Sequence, residues 1–372
     1  MIYFDNAATT YPKPACVTDA LCDFIKERGG NPGRGGHVMS MKAAETVFEC
    51  RKKLASFFGC GDPSLVCFTG GCTEALNAAI RGLIKPEDVV ITDNVGHNSV
   101  RRPLIASGAK IRYFNAFDGE AAILEQIDDG IKKGGRAVVC TCASNVFPLV
   151  LPVAQIGALC RERGVPFIAD GAQTAGISDV SANDCDVLCV PAHKGLYGIT
   201  GCGAMIFSPG CDPERFPPLL YGGSGVDSRD AGMPDRPPER YEAGTLPTAA
   251  IAALSAGLDF VLSTGAENIK RREYALSGRI YGAFRNNGSV VFYHPAPGSL
   301  LCFNVRGKKS EQTAALLDKY GVCARAGLHC APDAHKYTAP DGTGAVRISF
   351  SVFNTEEEAD AFCDILEHIS RS

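Results

Sequence analysis

The sequence predicts an α/β fold built on a mainly parallel seven-stranded sheet. Seven short apolar runs between residues 65 and 207 are mostly separated by turns and helical patterns, and that alternation gives a parallel sheet wrapped on both faces. Several of the runs end in small or polar residues, and crevices open at strand ends in such sheets. The composition agrees: 45% hydrophobic and 21% charged residues are ordinary for a globular enzyme.

The 372 residues suffice for about two domains. A formal net charge of −4, with no Lys/Arg run longer than three, offers no surface for nucleic acid. The start, Met1-Ile2-Tyr3-Phe4-Asp5-Asn6, lacks the basic and apolar regions of a signal peptide. No stretch reaches the ~18 apolar residues of a membrane span. The 17 cysteines are odd in number, scattered and never at CxxC spacing, so neither a disulfide framework nor a metal site is signalled. A reducing, cytoplasmic setting is expected.

Residues 1–14 read as an extended entry segment with Pro12 and Pro14. Val17, Ala20, Leu21, Phe24 and Ile25 repeat at helical spacing across 15–28, and a glycine-rich loop follows over 29–37. A second helix is expected from about Met41 to Phe58, stopped by Gly59. The strand-like runs are Leu65–Thr69, Val89–Thr92, Lys110–Phe114, Ala137–Cys142, Pro166–Asp170, Asp186–Val190 and Gly203–Phe207. Helices are expected after Glu74, at Glu120–Lys133 and at Val153–Arg163. Residues 208–247 are rich in Pro and Gly, and a loop of that length is usually functional or an interface. Helical patterning returns over Thr248–Leu262 and Ala266–Phe284. The tail reads as a small α+β unit, with strands near 290–293, 300–305 and 345–350 and helices near 310–319 and 355–369.

The polar side chains at the strand ends carry the chemistry. Gly70-Gly71-Cys72-Thr73-Glu74 joins a strand to a helix, where free backbone N–H groups and a Thr hydroxyl suit a phosphate; alone it is a capped glycine turn. His97, in Asn94-Val95-Gly96-His97-Asn98, could stack on an aromatic ligand or carry a proton. Asn145 follows the next strand. Asp170 caps an apolar strand, and a carboxylate there needs a partner such as a protonated ring nitrogen or an arginine. Lys194, in Pro191-Ala192-His193-Lys194-Gly195, stands just past a buried strand, where its amine can be desolvated and nucleophilic. An anion cradle, a stacking imidazole, an acid for a ring nitrogen and a lysine for an aldehyde are together what pyridoxal 5′-phosphate needs.

With those motifs in view the chain resembles the fold-type I, class-V aminotransferase-like enzymes, and among them the SufS-like cysteine desulfurases. The likeness runs from Tyr3-Phe4-Asp5-Asn6-Ala7-Ala8 to Phe353-Asn354-Thr355-Glu356-Glu357, through Glu242-Ala243-Gly244-Thr245 and Arg325-Ala326-Gly327-Leu328-His329-Cys330-Ala331. The resemblance implies that Lys194 bonds the cofactor and shuttles protons. It puts Asp170 at the ring nitrogen, His97 on the ring and Gln173 at the phenolic oxygen. Thr73, the Cys72 backbone and His193 would hold phosphate, with Thr245 serving the partner subunit's phosphate in a homodimer. Asn145 and Arg347, with Arg325 and Arg34 nearby, would hold the carboxylate of L-cysteine or a related amino acid. Cys330, on an accessible loop spanning Arg325–Pro332, would take the sulfur as a persulfide and pass it to an acceptor.

Three departures from the family pattern stand out. Pro191 replaces a hydroxyl residue on the phosphate side, Gly96 an acid before the histidine, and Phe147-Pro148 a Thr-Gly pair at the expected edge of the substrate pocket. Selenocysteine lyase, C–S lyase, aminotransferase or epimerase chemistry on the same fold stays open, as does a non-enzymatic binding role. The expected architecture is a large domain of residues 15–250 and a small one combining 1–14 with 251–372.

Overall fold

The computed structural model describes residues 1–33, 35–226, 229–338, 342 and 344–371. The chain opens with a two-residue strand β1 (Ile2–Tyr3), then helices α1 (Ala15–Glu27) and α2 (Val38–Phe57). The main sheet consists of β2 (Val66–Thr69), β3 (Val89–Asp93), β4 (Lys110–Phe114), β5 (Gly135–Thr141), β6 (Phe167–Asp170), β7 (Val187–Pro191) and β8 (Gly203–Phe207). Its order is β2-β8-β7-β6-β5-β3-β4. Only β8 runs against its neighbours among these strands, so the expected seven-stranded, mainly parallel sheet is what forms.

The reason is visible in the strands. β2, β6, β7 and β8 are buried at every position, as strands covered on both faces must be. The edge strand β4 instead exposes Lys110 and Tyr113, which discourages pairing with another chain. Between strands run α3 (Cys72–Leu83), α4 (Asn98–Ala106), α5 (Glu120–Lys132) and α6 (Val153–Arg163). The last of these stops at Gly164, whose φ of 65° is a left-handed helix end.

Helix α7 (Thr248–Thr264) packs on α1 and α2, and its Ile251, Leu254 and Leu258 join the core of the large sheet. Then come α8 (Ala266–Phe284), β9 (Val290–Phe292), β10 (Leu300–Val305), α9 (Ser310–Lys319), β11 (Val322–Cys323), β12 (Arg325–Gly327), β13 (Ala345–Ser349) and α10 (Glu356–Arg371). A four-stranded antiparallel sheet of order β12-β13-β10-β9 has a core of its own around Phe303, Ile348 and Phe362. β1 pairs in parallel with β11, so the chain's first residues join this second sheet's neighbourhood.

Residues 98–106, for which the sequence predicted no element, form α4, capped by His97 and carrying Pro103 within it. One local expectation is corrected. Arg325–Gly327, expected in a loop, is strand β12, hydrogen-bonded to β13. Among the described residues no single helix is long and apolar enough to cross a membrane.

Candidate active site

The C-terminal ends of the parallel strands open on one cavity of about 660 Å³. At the end of β2, Gly71 takes a φ of 152° and α3 begins. The amides of Cys72 and Thr73 stand in its first turn, where no helical carbonyl can accept from them. The Cys72 thiol turns inward, 3.5 Å from Asp170 Oδ1 and 3.4 Å from the Cys189 carbonyl, leaving its backbone to the cavity. Thr73 Oγ1 lies 2.8 Å from Ser99 Oγ.

At the end of β3 a buried carboxylate, Asp93, fixes the frame. One oxygen accepts the Val95 amide and the other the Thr141 amide, each at 2.9 Å, tying β3 to β5. Beyond it His97 caps α4, its Nδ1 accepting the Ser99 amide at 3.0 Å. The neutral ring therefore carries its proton on Nε2. Burial lowers its pKa, with Asp170 pulling the other way.

Asp170, 2% exposed at the end of β6, accepts the Ala172 amide at 2.9 Å. Gln173 donates to the Ala7 carbonyl at 3.2 Å, which brings the N-terminal arm in as a cavity wall. Lys194 follows β7. Its turn packs backbone against backbone on the turn after Asp170: a Cβ on Gly176 would lie 2.1 Å from the Gly195 carbonyl oxygen, and Gly176 has a φ of 87°. A Cβ on Gly195 would in turn lie 2.3 Å from the Ala175 carbonyl oxygen, hence the glycine after the lysine. The His193 carbonyl accepts from Thr9 Oγ1, from the Thr10 amide and hydroxyl, and from Lys13 Nζ at 2.8 Å, so the arm also clamps the peptide before Lys194. Burial lowers the Lys194 pKa, opposed chiefly by Asp170.

The second sheet closes the cavity. Arg325 and Arg347 are directly opposed residues of β12 and β13, so two cations share one face and call for an anion. Arg347, 2% exposed, donates to Asp5 at 2.8 Å and to the Asn145 carbonyl at 2.9 Å. The Asn145 side chain donates to the His329 carbonyl at 2.7 Å. Cys330 is exposed at the cavity's mouth, and both His329 and Cys330 have positive φ, 49° and 56°.

Thus Cys72, Thr73, His97, Asn145, Asp170, Gln173, His193, Lys194, Arg325, Cys330 and Arg347 all line this one cavity. Thr245 does not: it is exposed and lines a separate cavity of about 500 Å³ beside Arg51 and Glu242. Arg34 lies outside the described residues. Phe147 and Pro148 are corrected as pocket-edge residues. Phe147 is 1% exposed and packs edge-on against Phe117 at 5.2 Å, while Pro148 sits against Gly298, behind the wall rather than on it.

Sequence reasoning missed Asp5, Asp93, Lys13, Ser99 and the pair His329 and His335. For the last there was a signal: two of only seven histidines flank Cys330 within six residues.

Two buried polar atoms in this region have no partner, His193 Nδ1 and Arg347 Nε. With the first amides of α3 they leave anion-seeking groups unsatisfied around a half-buried lysine and a buried carboxylate. That donor set fits pyridoxal 5′-phosphate.

Fold and site thus define the class, the fold-type I pyridoxal-phosphate enzymes. The Aminotransferase class-V family profile matches residues 2–362, and the chain belongs to that family. It is 31% identical to a probable cysteine desulfurase of Methanothermobacter thermautotrophicus, over 99% of this chain and 94% of that protein. It is 30% identical to a cysteine desulfurase of Serratia proteamaculans, over 100% and 94%. Among solved structures, the apo cysteine desulfurase of Thermococcus onnurineus superposes with a TM-score of 0.89 at 29% identity, covering 100% of this chain and 94% of that one.

Proposed function

We propose that the protein is a pyridoxal-phosphate-dependent cysteine desulfurase: L-cysteine and the Cys330 thiol become L-alanine and a Cys330 persulfide, whose outer sulfur passes to an acceptor thiol. One observation carries the reading: an exposed thiol and a half-buried lysine line the same cavity beside two facing arginines. The names of the full-length relatives support it.

In this reading the α3 amides, Thr73 and His193 hold the phosphate, and Asp170 keeps the ring nitrogen protonated. The cofactor supplies an electron sink for the pair left when the substrate's α-proton departs. Lys194, whose amine burial makes easier to deprotonate, takes and returns that proton at Nζ. His97 would stack on the ring, with its proton on Nε2. Arg347, with Arg325 and Asn145, holds the substrate carboxylate. Cys330 approaches the substrate sulfur from the mouth. Thr245, on the surface, would serve the phosphate of a second copy in a homodimer. A reducing cytoplasm belongs to the same reading, since Cys16 and Cys22 are exposed thiols as well.

The test is alanine and sulfide release from L-cysteine with a reducing thiol as acceptor. Equal alanine and sulfide, abolished in both Cys330→Ala and Lys194→Ala, is the expected result. Pyruvate with sulfide that survives Cys330→Ala would replace the reading with a C–S lyase.

A further inference from the structure

Beneath Cys330 lie two imidazoles that the proposed chemistry does not use. His329 and His335 are 4% and 3% exposed, with rings stacked at 27° and His329 Nδ1 3.0 Å from His335 Nε2. The chain of contacts continues both ways. His329 Nε2 is 3.3 Å from the Arg325 carbonyl, and His335 Nδ1 is 3.2 Å from Thr338 Oγ1.

A carbonyl only accepts, so His329 Nε2 carries a proton. In the neutral ring Nδ1 is then the acceptor, and the proton between the rings belongs to His335 Nε2. Burial keeps both rings neutral, pushing His335 down to about 4 and His329 to about 2.

His335 itself stands on a fixed base. The short turn Ala334–Tyr337 follows Asp333, which pairs with Arg101 at 2.9 Å and accepts from Tyr113 at 3.2 Å, while Tyr337 packs on Phe117. The object held is strained. Two consecutive non-glycine residues, His329 and Cys330, sit in the left-handed region, which L side chains resist. Their carbonyls are taken by the Asn145 side chain and the Asn98 amide, both at 2.7 Å. The His329 ring secures the turn from the core side through His335 and the Arg325 carbonyl.

We propose that His335 is a positioning residue for Cys330: its Nε2 proton locks His329, and His329 locks the left-handed turn that presents the thiol to the cavity. The same lock ties Cys330 to Arg325, whose carbonyl ends the chain, so the sulfur-accepting group and a carboxylate-facing strand move as one piece. The role in catalysis rests on Cys330 taking the sulfur; the lock itself does not.

Two substitutions separate the proton from the ring. His335→Phe keeps a stacked ring and removes the donor, whereas His335→Gln removes the ring and keeps an amide donor at similar reach. Single-turnover persulfide formation on Cys330 at saturating L-cysteine, followed by intact mass on the holoenzyme, should fall about tenfold in His335→Phe with KM little changed, the size of one lost hydrogen bond. It should stay within about threefold of the parent in His335→Gln. Amide exchange at Asn98 and Ala331, whose hydrogen bonds close the turn, should quicken in His335→Phe alone. Equal impairment of both variants, or a fully active His335→Phe, would overturn the proposal. Should His335→Phe fail to fold, Thr338→Val removes the hydroxyl that meets both His335 Nδ1 and the His335 carbonyl, leaves the bond between the rings, and should give a partial loss with the same exchange pattern; an unchanged rate and exchange would count against the lock. If the parent forms no persulfide, the desulfurase reading fails, and the exchange data still decide the lock.

Discussion

At the scale of single residues the site is a set of charges whose surroundings set their protonation. Asp93 is the clearest stability case. Burial raises its pKa from 3.8 to about 6, against the two amides it accepts. Between those values the folded chain holds a proton that the unfolded chain has released, so stability falls as pH rises through that window and then levels off. The contribution is on the order of 2–3 kcal/mol. Urea unfolding at pH 4.5 and 6.5 should show Asp93→Asn losing that part of the slope; an unchanged slope would refute the assignment. Lys194, Asp170 and His97 were legible in the sequence because each follows a readable apolar strand. Asp93 ends such a strand too, yet its partners, the amides of Val95 and Thr141, are set by the neighbouring strand and leave no trace in residue spacing. His335 left only its nearness to Cys330 as a trace, since its importance comes from stacking on a ring six residues away, which tertiary packing brings about. Phe147 misled in the other direction, because a bulky residue in a motif said nothing about which way it points.

Elements show how a sheet edge is finished without another strand. On β2 the Phe68 amide is accepted by Glu242 at 2.7 Å, and the Val66 carbonyl is met by Arg51. Arg51 and Glu242 are themselves joined by two parallel bonds of 2.7 and 2.8 Å, with the guanidinium 4.7 Å from the Phe68 ring centre. One ion pair thus replaces a missing strand. Glu242→Gln removes the charge and leaves a buried guanidinium without its counter-ion. It should lower stability by about 3–5 kcal/mol, seen as an earlier denaturant midpoint at unchanged m-value; a loss within experimental error would show the pair to be dispensable. The same scale explains which elements could be read. α6, α8 and β10 match their sequence patterns to the residue because periodicity and length agree. α4 escaped notice because Asn98, two arginines and Pro103 blur its apolar face, and β12 because three residues carry no period.

The whole molecule is two sheets around one cavity, joined by the N-terminal arm. Its Asp5 reaches Arg347, Ala7 reaches Gln173, and Thr9, Thr10 and Lys13 converge on the His193 carbonyl. The surface position of Thr245, apart from its own cavity, belongs with the proposed homodimer. Sedimentation should find a dimer, and Thr245→Ala should stay dimeric while binding pyridoxal phosphate about tenfold more weakly, the size of one lost charge-assisted hydrogen bond. A monomeric parent that binds the cofactor tightly would rule this out.

The arm also sets an order of events during synthesis. It is made before both sheets, but β1 pairs with β11, and Ile2 faces Val322, 320 positions later (322 − 2). At roughly 5–20 residues per second, its partner strand follows after roughly 15–60 s. Until then the four donors that brace the peptide before Lys194 have no fixed support. A nascent chain can form the parallel sheet and the first turn of α3, yet the lysine's turn is finished only after β11 has been made. On the proposed function, cofactor capture waits for β11, and chains ended before Val322 should emerge colourless.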